Sequence, residues 1–155
     1  MMGYTHAAGG AFAGAVVGGA FGDPVLGAAV GVLAGLLPDI DHPGSMLSRK
    51  VPIVPVLVSA LAGHRQLTHT VWFALGVAML AAVFLAGLAP DRKYLAVAVF
   101  AGALSHVLLD GLTRGGVRPL APLPLHLKGP LNTGDILTEG PLAFLLAVLA
   151  FQTLI

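Results

Sequence analysis

Apolar residues run along this chain in long, nearly uninterrupted stretches, and a helix that crosses a bilayer needs about 20 of them. The clearest stretch covers residues 71–89, between the polar HRQLTH and PDRK, and a second covers 94–112. A shorter one, 141–155, closes the chain. Near the start, residues 6–21 and 24–37 form two small-residue apolar stretches parted by FGDP, a turn signal. Residues 51–62 (VPIVPVLVSALA) are too short and too proline-marked for an easy crossing. A re-entrant or interfacial segment backed by protein is expected there. The pattern predicts an all-α fold: a polytopic transmembrane helical bundle of about five spanning helices plus that short segment. Residues 1–155 would form a single domain.

Glycine adds a packing pattern to these stretches. Gly10, Gly14, Gly18 and Gly22 recur every four residues, as do Gly27, Gly31 and Gly35. Four-residue spacing puts each set on one helix face, where missing side chains let two backbones approach closely. The first two helices are expected to pack through these stripes. His6 lies four residues before Gly10 and Asp39 four after Gly35, so the same packing would bring them together.

Composition agrees with a membrane protein: 57% of residues are hydrophobic and only 10% charged, too few charges for a soluble domain. A net charge of +1 leaves no nucleic-acid footprint. The opening MMGYTHAAGG lacks the positive region of a signal peptide and is expected to belong to the bundle. Tracing the stretches back and forth puts every histidine at or near one end. Arg49, Lys50, Arg65, Arg114, Arg118 and Lys128 fall on that side, against Arg92 and Lys93 on the other. The positive-inside rule makes the histidine side cytoplasmic, in a multi-pass protein of the cell (inner) membrane.

Three local patterns carry chemistry. Pro38-Asp39-Ile40-Asp41-His42 ends the second stretch, and in an extended segment Asp39 and Asp41 would share one side with His42 on the other. His64 and His69 bracket the entry to the third helix. His106 and Asp110 stand one helical turn apart on the same face. Ionisable groups in such oily surroundings are costly to keep and mark a site. With no cysteine, any metal must be held by nitrogen and oxygen, which suits Zn, Mn or Fe. A catalytic zinc takes about three protein ligands and keeps one position open. The set His6, Asp39, Asp41, His42, His64, His69, His106 and Asp110 therefore exceeds one such site, and two divalent metal ions are expected. Two ions about 4 Å apart can activate water and stabilise the oxygens of a phosphoester. Arg65 would neutralise phosphate charge, Asp41 or Asp110 would bridge or orient the ions, and Glu139 is a late ligand or base. Thr68 and Ser105 are candidates for hydrogen bonds to the ligands.

Plainer readings stand beside these. His106 and Asp110 could share a structural hydrogen bond, or Asp110 could pair with Arg114. Glu139 could serve only the dipole of the final helix. His126, in a proline-marked loop, reads as surface. Asp23, Asp91, Arg92 and Lys93 read as solvated turn residues, and Tyr4 and Trp72 as interfacial anchors.

The blocks GYTH, LLPDIDHP, GHRQLTHT, GALSHVLLDGLTRGG and the late NTG…E resemble the YdjM-like family of membrane-bound metal-dependent hydrolases. The likeness covers most of the chain and lies in the order and spacing of the blocks. That family resembles, remotely, the helical zinc-dependent phospholipases C and single-strand-specific zinc nucleases, which have three-metal sites. The resemblance implies phosphoester hydrolysis on a helical scaffold, with the eight histidines and aspartates named above as ligands. A second late histidine-rich helix is absent, so two ions are expected and not three. A lipid-like phosphoester is the expected substrate, since a site at the membrane edge meets membrane lipid headgroups. The alternative is a non-enzymatic metal-binding or metal-transport membrane protein. The protease motifs HExxH and GxSxG do not occur.

Overall fold

The computed structural model describes residues 1–41 and 67–155. Among these, five α-helices form and no strand does: α1 (Gly3–Ala20), α2 (Pro24–Leu36), α3 (Val71–Leu88), α4 (Tyr94–Gly111) and α5 (Ile136–Leu154). Three stretches are long and apolar enough to cross a membrane: Val71–Leu88, Pro90–Gly111 and Ile136–Leu154. Pro24–Ile40 is apolar but shorter, and α1 is diluted by its glycines. The segment 51–62, expected to be re-entrant or interfacial, lies outside the described residues.

Local chemistry sets the helix ends. Asp23 caps α2 by accepting from Leu26 N at 3.2 Å, with Pro24 at the first helical position. Thr70 caps α3 by accepting from Phe73 N at 3.2 Å. Asp135 accepts from Leu137 N at 3.0 Å and starts α5 at Ile136, earlier than the 141 expected from the apolar pattern. Pro141 is therefore inside the helix, where it removes one backbone donor. Beyond α2 the chain tightens into a 3-10 turn, Leu37–Asp41, and not the extended segment that alternation of Asp39 and Asp41 requires.

The two glycine stripes meet. A Cβ added at Gly31 would stand 2.1 Å from the Gly10 carbonyl oxygen and 2.8 Å from the Gly14 Cα. Backbones this close exchange dispersion and weak Cα–H···O contacts that any side chain would abolish. α4 joins through Gly102, where a Cβ would lie 2.6 Å from the Gly31 oxygen. Gly22 departs from the expected stripe. α1 has already ended there, and the residue takes φ +79 in the turn, where an added Cβ would meet nothing within 4 Å.

Among the described elements, helix α1 is the hub, packed on α2, α4 and α5, whereas α3 rests mainly on α4. Only Ala74 of α3 is buried, and Met79, Leu80, Val83, Phe84 and Leu88 point outward, the surface expected of a helix that faces lipid. The loop after α4 folds back on that helix end. Val117 and Leu127 exchange two backbone hydrogen bonds of 2.9 Å, and Val71 N donates to the Pro119 carbonyl at 2.9 Å. Trp72 Nε1 donates to the Ala121 carbonyl at 3.1 Å, fixing the loop to the start of α3.

Overpacking a close backbone contact costs about 1–3 kcal/mol. Gly31→Ala should therefore lower thermal stability in detergent by about that much. Gly76→Ala, with nothing within 4 Å, should be neutral or stabilise by up to about 1 kcal/mol through helix propensity. Equal melting shifts for the two variants would remove the glycine contact as the organising feature.

Candidate metal centre

Four separate elements deliver five of the residues singled out in the sequence to one end of the bundle. His6 comes from the first turn of α1, Asp39 from the 3-10 turn after α2, and His69 from the turn leading into α3. His106 and Asp110 come from the last turns of α4, where the four-residue spacing sets them on one face. His6 Nε2 lies 3.2 Å from Asp110 Oδ1. His69 Nε2 lies 3.4 Å from Asp39 Oδ1 and 3.5 Å from Asp110 Oδ2. His106 Nε2 lies 3.7 Å from Asp39 Oδ1 and 3.4 Å from Asp110 Oδ2. The Met1 amino group also contacts Asp110 Oδ1. Two triads, His6–Asp39–His106 and His69–His106–Asp110, each bring three ligand atoms within 4.8 Å of one another.

Burial makes the arrangement informative. His6 and His106 are fully buried, and their rings stack with centroids 3.6 Å apart and planes 13° from parallel. Two cationic rings face to face at that separation would repel. The neutral imidazole, with a lone pair free, is also the form that binds metal. His106 Nδ1 donates to the Gly35 carbonyl at 2.8 Å, which assigns the proton to Nδ1 and leaves the Nε2 lone pair facing the carboxylates. Neither His6 nitrogen nor His106 Nε2 has an aligned hydrogen-bond partner. A buried polar atom left so costs about 1–3 kcal/mol, and a cation among the ligands would remove that cost.

The outer side is more open: the side chains of Asp110, His69 and Asp39 are 14%, 17% and 24% exposed. Thr68 Oγ1 lies 3.0 Å from His69 Nδ1 and can orient that ring as His106 is oriented by Gly35. Asp39, beyond the end of α2, is held below the usual carboxylate range. Burial acts to raise it, and the neighbouring His69, His106 and His6 outweigh that effect.

Other expected residues are placed elsewhere. Ser105 donates to the Gly102 carbonyl of its own helix at 2.7 Å. Arg114 donates to the Pro130 carbonyl at 3.3 Å, and Asp110 takes its partners from the histidines and Met1. His126 is exposed. His42, His64 and Arg65, and the side chain of Asp41, lie outside the described residues. Glu139 stands apart from both triads. It is fully buried, with Oε2 accepting from Met2 N at 2.8 Å and Thr5 Oγ1 at 3.1 Å, and Oε1 from Gly134 N at 2.7 Å. It clamps the start of α1 to the start of α5. Neither this clamp nor the Gly35–His106 bond is visible as a sequence motif, although the glycine register places Gly35 near His6.

Fold and cluster together define an all-helical membrane protein with histidines and aspartates gathered at one end of its bundle. The chain belongs to the YdjM inner membrane protein family, which it matches over residues 1–154. It is 36% identical over 146 residues to the uncharacterized protein YvsG of Bacillus subtilis, covering 92% of this chain and 88% of the relative. It is 34% identical over 104 residues to inner membrane protein YdjM of Escherichia coli, covering 64% of this chain and 51% of that protein. The Shigella flexneri protein of the same name matches equally. The matched part is thus about half the length of those two YdjM proteins. No solved structure matches.

The tautomer is directly testable. In protein labelled with 15N-histidine, His106 should show a protonated Nδ1 and an unprotonated Nε2, and only the Nε2 signal should move strongly on addition of Zn. A protonated Nε2 would exclude it as a ligand. Separately, Glu139→Ala should destabilise the fold by about 1–3 kcal/mol, the cost of leaving buried donors unpaired, while leaving the metal content unchanged. A loss of metal with unchanged stability would reverse that assignment.

Proposed function

We propose that the protein is a membrane-embedded metal-dependent hydrolase acting on a phosphoester, most simply one carried by a membrane lipid. The observation that carries this reading is the pair of fully buried imidazoles, His6 and His106, whose Nε2 atoms lack hydrogen-bond partners and face the carboxylate side chains of Asp39 and Asp110. Three imidazoles and two carboxylates suit Zn, Mn or Fe in the divalent state. Such an ion supplies acidified water and charge neutralisation at a phosphoryl group. The chain's own residues do the rest. Gly35 and Thr68 orient the rings of His106 and His69, and the buried stack of His6 on His106 shields the inner side from water. Asp39 and His69, the more exposed members, border the approach. Arg65 would hold a phosphate oxygen, and Asp41, His42 and His64 would complete or extend the ligand set.

In this reading α1 and α2 complete a multi-pass bundle of about five crossings, with the centre on the cytoplasmic side that Arg114, Arg118 and Lys128 share. That position sets the centre at headgroup level, which favours a lipid phosphoester. Metal transport is supported less well. α3 carries no polar residue between Val71 and Leu88, and α4 none between Leu95 and Leu104, so these helices offer no relay across the bilayer.

The test is a screen of the purified, metal-loaded protein against phospholipids and soluble phosphomonoesters and diesters. Turnover is expected with Zn or Mn, reduced at least about 100-fold by His106→Ala, the scale of losing a ligand or its support. Metal bound at full occupancy with no turnover of any phosphoester would overturn the hydrolase reading and leave a metal-binding protein.

A further inference from the structure

We propose that His6, Asp39, His69, His106 and Asp110 form a one-ion centre, holding a single divalent first-row cation. The inference rests on the metal reading above and fixes its stoichiometry, where the sequence alone suggests two ions.

The first argument is the sharing of His106. Both triads require this residue. Its Nδ1 is committed to the Gly35 carbonyl, so only Nε2 remains, with one lone pair for one ion. The two triads therefore cannot both hold an ion at the same time.

The second argument is distance. Ligand atoms about 2.0–2.2 Å from a common ion stand about 2.8–3.1 Å apart along octahedral edges and about 3.3–3.6 Å apart along tetrahedral ones. The nitrogen–oxygen separations here are 3.2, 3.4, 3.5, 3.7 and 3.4 Å, close to the edges of one polyhedron. They are longer than hydrogen bonds from a charged imidazole, which shorten to about 2.7–2.9 Å. Both carboxylates face the same two nitrogens, His69 Nε2 and His106 Nε2, so these four side chains ring one space, with His6 beside it on the other oxygen of Asp110.

The third argument is charge. Three neutral imidazoles and two carboxylates carry −2, the Met1 amino group beside Asp110 adds +1, and one divalent ion brings the centre to +1. A second ion among the same five side chains would leave +3 at the end of an apolar bundle, where uncompensated charge is expensive. Any second ion must draw its ligands from elsewhere.

The experiment measures metal per protein by inductively coupled plasma mass spectrometry, on the full chain in detergent after loading with Zn or Mn. It compares the unmodified protein, the triple variant Asp41→Ala/His42→Ala/His64→Ala, and that variant with His106→Ala added. The triple variant should keep one equivalent, and the addition of His106→Ala should remove it. Two equivalents in the triple variant would overturn the one-ion centre. Metal in the unmodified protein but none in a triple variant that still elutes as a monodisperse species would show that the five side chains do not suffice, and would equally overturn it. No metal in any form would overturn the metal reading itself. Electron paramagnetic resonance of the Mn-loaded triple variant gives a second readout. An isolated Mn signal is expected, and a spin-coupled pair would overturn the proposal.

Discussion

The close approach of α1 and α2 through their glycine faces is the constraint on which the rest of this molecule depends. In lipid, helices gain little from the hydrophobic effect against one another, so association rests on packing and polar contacts. Bare backbone on both sides lets the Gly10, Gly14, Gly27 and Gly31 regions interlock, and Gly102 adds α4 at the same place. The register continues to the site. A Cβ at Gly35 would stand 2.8 Å from the His6 carbonyl oxygen, and the Gly35 carbonyl itself accepts the hydrogen bond from His106 Nδ1. One interface thus sets helix spacing and ring orientation together.

Against that packing stands the cost of the polar cluster. Two imidazoles and two carboxylates gathered where few waters reach are a destabilising choice unless something compensates. The carboxylates have histidine neighbours, but the lone pairs of His6 and His106 have no donor aimed at them. A divalent cation would answer all of these groups at once, and the proposed metal reading rests on that.

Much of this was legible in the chain. The apolar stretches placed all five described helices, and the four-residue spacing of His106 and Asp110 placed both on one face. The glycine stripes predicted the α1–α2 contact because that contact is local in register, a matter of which side of each helix lacks side chains. Less legible were features decided by tertiary context. The 3-10 turn at Leu37–Asp41 replaced an extended segment because α2 tightens as it ends, and Gly22 served a turn, not a helix face. The start of α5 was missed because a cap at Asp135 outweighs the single donor lost at Pro141. Glu139 looked like a candidate ligand or a dipole partner. Its role as a buried clamp depends on Met2, Thr5 and Gly134, which no spacing rule connects to it.

The sparse seating of α3 gives the centre two unequal halves. His6 and His106 belong to helices locked backbone to backbone, so their positions are as stiff as the bundle. His69 stands at the entry to a helix that leans mainly on one neighbour and shows lipid an almost unbroken apolar face. The entry itself is tied to the loop after α4, through Val71 N on the Pro119 carbonyl and Trp72 Nε1 on the Ala121 carbonyl, so a tilt of α3 swings its far end while His69 stays near the pivot. The cluster thus sits at the pivot end of the helix that the bilayer touches most.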